Sequence, residues 1–142
     1  MDSVKLIAEL ERDEGVRLKP YRDSVGKLTI GIGRNLDDVG ITLDETHYLL
    51  NGDIARAEAD LDARLPWWQT LDPVRQRVLV NMCFNMGIAG LLTFANTLEL
   101  VRVGQYADAA DHMLASKWAG QVGPRAQRLA DMMRDGDTGG VA

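Results

Sequence analysis

The stretch Arg12-Asp13-Glu14-Gly15-Val16-Arg17-Leu18-Lys19-Pro20-Tyr21-Arg22-Asp23-Ser24-Val25-Gly26-Lys27-Leu28-Thr29-Ile30-Gly31-Ile32-Gly33 decides how this chain is read. Its local pattern changes twice. Upstream, Val4, Ile7, Leu10 and Glu14 recur with the period of one helix face, so a helix over about residues 3–14 is expected, with Glu14 extending its apolar side. Gly15 follows and can take the left-handed conformation that closes a helix. Beyond Pro20, Ser24-Val25-Gly26-Lys27 has the composition of a hairpin turn. Leu28, Ile30 and Ile32 then alternate with Thr29, Gly31 and Gly33, which predicts a short strand in a hairpin region of about 20–35. Glycines at alternate positions leave one strand face bare, so a ligand or another backbone can approach closely.

This layout places two carboxyl groups on defined elements. Glu14, on the apolar side of a helix end, is expected to be partly desolvated, which favours the protonated form that a general acid needs. Asp23, before the turn, is expected to be more solvated and ionised. Acids in unequal environments are the mark of divided acid and base roles. Two such groups flanking an open groove are the minimal equipment for cleaving a glycosidic bond. A Glu at a helix end or an Asp before a turn is ordinary by itself. The combination with Thr29-Ile30-Gly31-Ile32-Gly33 makes the pattern specific. The Gly-x-Gly element alone does not make a dinucleotide site, because neither the fuller fingerprint nor a preceding buried strand is present.

Composition narrows the alternatives. The chain has 142 residues, 46% of them hydrophobic, enough for one domain with a core or two lobes sharing a helix. No apolar run is long enough to span a membrane. Asp2, Lys5, Glu9, Glu11, Arg12 and Asp13 do not fit a secretory signal, which points to a protein made and kept in the cytoplasm until released. A single cysteine, Cys83, excludes an intrachain disulfide, and its neighbours Val78, Leu79, Met82 and Met86 mark it as a core residue. His47 and His112 lack ligand spacing, so no metal site is expected. A net charge of −5 argues against nucleic-acid binding, including a helix-turn-helix reading of Asp72 to Leu98.

Farther along, Thr42 and Glu45 form a capping box that starts a long helix. Leu43, His47, Leu50, Ile54, Ala57, Leu61 and Leu65 give it one apolar seam, Asn51-Gly52 offers a point of interruption, and Pro66 ends it. Asp72 with Pro73 begins another helix. From Val74 to Met86 the chain is apolar on most sides, which predicts the central buried helix. Arg77, Asn81 and Asn85 form its one polar stripe, either tying neighbouring helices or lining a polar groove. A turn at Gly87 to Gly90, a helix from about Leu91 to Val103, an amphipathic helix through Tyr106, Ala109, Ala110, Met113 and Leu114, and a last helix from Pro124 complete the chain. Trp67, Trp68 and Trp118 are read as packing residues rather than sugar platforms.

At this point the chain resembles the phage-type, T4-lysozyme-like muramidases. The resemblance rests on Asp13-Glu14-Gly15-x-Arg17-Leu18-x-x-Tyr21-x-Asp23, Thr29-Ile30-Gly31-Ile32-Gly33, Asn81-Met82-x-Phe84-Asn85-Met86-Gly87, Ser116-Lys117-Trp118 and Arg125-Ala126-x-Arg128, in order over nearly the whole chain. It implies an α+β, mostly α, two-lobed lysozyme-like fold in a single domain. A small β-containing lobe of about 14–50 would be joined by a connecting helix, 42–65, to a helical lobe of 1–13 and 66–135, with a flexible tail at 136–142.

The resemblance further implies an endolysin, a peptidoglycan hydrolase that cleaves the β-1,4 bond between N-acetylmuramic acid and N-acetylglucosamine and causes host cell lysis. Glu14 would protonate the leaving oxygen. Asp23 and Thr29 would hold and activate a water on the opposite face of the sugar, an inverting arrangement with carboxyl groups about 6.5–9.5 Å apart. Asn85, Arg125, Thr97 and His112 fall at substrate-contacting positions. The charge of Arg125, approaching Glu14, would oppose its desolvation. No cofactor is implied. The protein would act as a monomer on glycan strands, without stable membrane insertion, waiting in the host cytoplasm for a holin and then acting at the periplasmic wall.

Three departures from the family pattern stand out. Arg34 replaces a common histidine, so an ion pair built on that histidine cannot form in the same way. The link from hairpin to long helix is short, and the chain is acidic. The competing readings are a lytic transglycosylase, in which the muramic acid hydroxyl replaces water, and a non-catalytic peptidoglycan-binding module.

Overall fold

The computed structural model describes residues 1–137; the greater part of the expected tail, from 138, lies outside the described residues. In chain order the elements are α1 (Ser3–Glu14), β1 (Arg17–Arg22), β2 (Leu28–Gly31), β3 (Arg34–Asn35), α2 (Leu43–Arg64), a 3-10 turn (Pro66–Thr70), α3 (Pro73–Leu92), α4 (Ala95–Arg102), α5 (Tyr106–Ala115), α6 (Lys117–Val122) and α7 (Pro124–Asp135). The architecture is α+β and mostly α, as the sequence suggests.

Local chemistry explains most boundaries. The Asp2 carboxylate accepts from Lys5 N–H at 3.1 Å to open α1, and the Gly15 N–H donates to Glu11 O to close it at φ 75°. The capping box of α2 is reciprocal: Glu45 N–H donates to Thr42 Oγ1 at 3.1 Å, and Thr42 N–H donates to Glu45 Oε1 at 3.0 Å. The helix then runs unbroken through Asn51-Gly52, since a cost of about 1 kcal/mol for one glycine does not outweigh continuous hydrogen bonding on both sides. Asp72 caps α3, with Pro73 following. The expected break falls at Gly87, whose φ 75° and ψ 164° are not helical, so α3 is two helical pieces kinked at that residue. The second piece runs to Leu92, and α4 begins at Ala95 rather than near Leu91, after the Thr93 and Phe94 N–H groups donate to Gly90 O and Leu91 O.

The chain divides into two compact units, Met1–Leu49 and the remainder from Leu50. The first contains an antiparallel sheet of order β1-β2-β3. Tyr21 pairs with Thr29, Arg22 with Leu28, Thr29 with Asn35 and Ile30 with Arg34. The register shifts between Arg17 and Tyr21, a stretch that contains Pro20, which lacks an N–H and is tolerated on this edge strand. Among residues 1–49 only Thr29 is buried, so hydrogen bonds and ion pairs set this unit's geometry more than packing does. Arg34 is central to them. Its guanidinium donates to Glu45 Oε1 at 2.9 Å and Gly40 O at 3.2 Å, and its Nη2 lies 2.8 Å from Glu45 Oε2. Arg34 thus forms an ion pair of its own between β3 and the first turn of α2.

In the second unit Val78, Leu79, Met82, Cys83 and Leu91 of α3 are buried with Ala57 and Leu61 of α2, Leu98 and Val101 of α4, Met113 of α5 and Leu129 and Met133 of α7. This places the central apolar helix as expected. Cys83 is 3% exposed, and burial, reinforced by the charge of Asp60, pushes its thiol up, which makes it a poor nucleophile. Trp68 and Trp118 are buried, their ring N–H groups donating to Asp62 Oδ1 at 2.7 Å and Asn85 Oδ1 at 2.8 Å.

Candidate active site

Glu14 is the last residue of α1, and its carboxyl group reaches over Gly33. A Cβ at Gly33 would stand 2.8 Å from Glu14 Oε2 and 3.0 Å from its carboxyl carbon, and Gly33 holds φ 73°. Glycine is therefore favoured there by its backbone conformation, and any side chain would have to displace the Glu14 carboxyl group. Within the Met1–Leu49 unit the expected partial burial of Glu14 is not found. α1 buries none of its side chains, Val4, Ile7 and Leu10 remain exposed, and the residue beneath the carboxylate has no side chain to cover it. The relation between the two acids is the reverse of the expected one: Asp23 is half-buried and Glu14 exposed.

Asp23 is drawn in by its turn. Its Oδ1 accepts from Val25 N–H at 3.0 Å and Lys27 N–H at 2.8 Å. Its own main chain closes the hairpin, with Asp23 N–H donating to Lys27 O at 2.9 Å and Gly26 N–H donating to Asp23 O at 3.0 Å. Thr29, on central strand β2 and 3% exposed, donates its hydroxyl to the same Lys27 O at 2.9 Å. One main-chain oxygen therefore fixes both Asp23 and Thr29. With the hydroxyl proton committed to Lys27 O, the Thr29 oxygen can only accept further hydrogen bonds. A water between the two residues would donate to both and keep a lone pair for attack. The turn N–H groups engage only Oδ1 of Asp23.

Sequence reasoning missed two contributors to this arrangement. Lys27 acts through its main chain, which carries no residue signature. Asp37 accepts from Leu28 N–H through Oδ2 at 2.8 Å, nine positions along, and its only signal was the acid pair Asp37-Asp38 in the turn after β3.

The second unit holds the other residues expected at the substrate. Thr97 and His112 meet in one pocket of about 240 Å³, with Thr93, Phe94, Asn96 and Ser116. Arg125 donates through Nε at 3.0 Å and Nη2 at 2.7 Å to Asn81 Oδ1, and both line a cavity of about 780 Å³ with Arg77, Val80 and Phe84. Asn85 does not share either pocket; its amide oxygen is engaged by Trp118. The polar stripe of α3 thus ties α3 to α6 and α7, and part of it also lines a cavity.

Comparison with known proteins gives the family of the chain. The phage lysozyme family description matches residues 11–134. A probable T4-type lysozyme 1 of Dictyostelium discoideum is 29% identical, over 89% of this chain and 92% of its own length. An endolysin of Acyrthosiphon pisum secondary endosymbiont phage 1 is 30% identical, over 82% of this chain and 79% of its own. The pre-baseplate central spike protein Gp5 of Enterobacteria phage T4 is 30% identical over 90% of this chain, which spans 27% of that longer protein. The chain belongs to the phage lysozyme family.

Proposed function

We propose that this protein is an endolysin that hydrolyses the β-1,4 bond between N-acetylmuramic acid and N-acetylglucosamine in peptidoglycan. Family membership and the endolysin relatives support the class of activity. The observation that carries the mechanism is the fixing of Asp23 and Thr29 on the single carbonyl of Lys27. Glu14 gives its proton to the glycosidic oxygen as the bond to the anomeric carbon breaks. Water attacks that carbon from the opposite face and loses one proton to Asp23, while its other hydrogen, which stays on the new hydroxyl, donates a hydrogen bond to Thr29. The configuration is inverted, and proton exchange with solvent restores Glu14 and Asp23.

In this reading Thr97 and His112 receive a polar part of the wall polymer in their shared pocket, and Arg125 and Asn85 contribute from α7 and α3. The protein works as a monomer, waits in the host cytoplasm, and reaches the wall once a holin opens the membrane.

The test is clearing of chloroform-treated Gram-negative cells by wild type beside Glu14→Gln, with mass analysis of the released muropeptides. Clearing by wild type alone, with reducing muramic acid ends, is expected. Anhydro ends would move the protein to the transglycosylases. Failure of a folded wild type to clear at any pH or salt would make it a binding module.

A further inference from the structure

We infer that Asp37 is a positioning residue for Thr29, acting through the peptide unit between Lys27 and Leu28. The inference rests on the reading of Asp23 and Thr29 as the pair that holds the attacking water.

The geometry runs through one rigid plane. The C=O of that peptide is Lys27 O, which accepts from the Thr29 hydroxyl at 2.9 Å and from Asp23 N–H at 2.9 Å. The N–H of the same peptide is that of Leu28, which donates to Asp37 Oδ2 at 2.8 Å. A carboxylate on the N–H side pushes electron density toward the carbonyl oxygen across the conjugated amide. Hydrogen bonds to a charged acceptor are also stronger than neutral ones. The carbonyl therefore holds the Thr29 proton more firmly and in one direction, and the Thr29 oxygen becomes a better acceptor for a water hydrogen.

Asp37 is itself held in place. Arg22 Nη1 lies 3.6 Å from its Oδ2 and donates to Gly26 O at 3.1 Å, while Leu36 N–H donates to Leu28 O at 2.7 Å. The carboxylate thus sits beside β2 at a defined height. Its neighbour Asp38 is a natural control. It bonds Asn35 Nδ2 at 3.0 Å and Lys27 Nζ at 3.1 Å in the same loop, but it touches neither end of the Lys27–Leu28 peptide.

The experiment measures kcat and KM on soluble, uncrosslinked peptidoglycan glycan chains for wild type, Asp37→Asn, Asp37→Ala, Asp38→Asn, Thr29→Ala and the double variant Asp37→Ala/Thr29→Ala, with thermal melts alongside. Asp37→Ala is expected to lower kcat about tenfold with KM almost unchanged, and Asp37→Asn, which keeps an acceptor oxygen but not the charge, to lower it about threefold. Asp38→Asn should match wild type. The double variant should be no slower than Thr29→Ala, because residues acting through one another are non-additive. Should Asp37→Ala fail to fold, the near-isosteric Asp37→Asn carries the same comparison. A wild-type kcat for both folded Asp37 variants beside an impaired Thr29→Ala overturns the inference alone. So do fully additive losses in the double variant, which would assign Asp37 a general structural role. Full activity of Thr29→Ala would overturn the underlying reading as well.

Discussion

Glu14 lies against Gly33 so closely that a single added methyl group there would fall 2.8 Å from its Oε2. The obstruction meets the end of a flexible side chain, so the fold can yield by swinging the carboxyl group aside. Gly33→Ala is therefore expected to cost about 1–2 kcal/mol for the strained backbone. The rate should fall further than that cost suggests, because the displaced group is the proposed proton donor, and a misplacement of about 1 Å can cost about a hundredfold. Denaturant titration and turbidity clearing on the same preparation would separate the two effects. A variant that clears cells at the wild-type rate would remove Glu14 from that role.

Asp23 has a structural and a chemical duty on the same carboxyl group, and substitutions can divide them. Asn at this position keeps an oxygen for the N–H groups of Val25 and Lys27 but has no charge to take a proton from water. Asp23→Asn should fold with nearly unchanged stability and lose about a hundredfold or more in kcat. Asp23→Ala should lose activity and also about 1–2 kcal/mol of stability, because two turn N–H groups lose their acceptor. Equal melting curves for the two variants would contradict the turn assignment.

The Arg34–Glu45 pair makes a pH-dependent contribution. Hydrogen bonding from Arg34 first, and then from the Thr42 N–H, lowers the Glu45 carboxyl from 4.5 to about 2. A depressed folded-state value means that the stabilisation is complete above the unfolded value and is lost as pH falls from about 4.5 through about 2. Glu45→Gln should lower the melting temperature at pH 7, and the gap to wild type should close as the pH is brought down toward 2. A gap that stayed constant across that window would show that the charge of Glu45 contributes nothing. Both side chains are more than a third exposed, so high salt should also narrow the gap.

Arg75 joins the two ends of the helical unit. Its guanidinium donates to Met133 O at 2.7 Å and Arg134 O at 3.0 Å, pairs with Asp72 at 3.0 Å, and lies 3.5 Å over the Tyr106 ring. Burial alone would raise the Asp72 carboxyl, but the hydrogen bonds from Arg75 outweigh it and hold it below its ordinary value. Arg75→Met is expected to cost about 3 kcal/mol, since it strands Asp72 and two carbonyls at the end of α7. Arg75→Lys should recover little, because an ammonium cannot reproduce the planar fork or the stacking. Chemical denaturation of the three proteins is the check, and a loss below about 1 kcal/mol for Arg75→Met would reduce these contacts to surface decoration.

Much of this molecule is written in short-range sequence. Thr42 with Glu45 and Asp72 with Pro73 mark helix starts because their partners lie within one turn, and those bonds form as expected. The spacing of Glu14, Asp23 and Thr29 put two acids and a hydroxyl on a helix end, a turn and a strand, where the structure has them. Environment was not legible in this way. Helical period marked Glu14 as the covered acid, yet within its own unit α1 buries nothing, and two turn N–H groups hold Asp23 instead. The partner of Arg34, the bond from Leu28 to Asp37 and the hold of Asn81 on Arg125 span 11, 9 and 44 positions. Periodicity and propensity describe what one segment prefers. Which distant donor meets which acceptor is decided only when closed turns and packed helices bring them to within 3 Å.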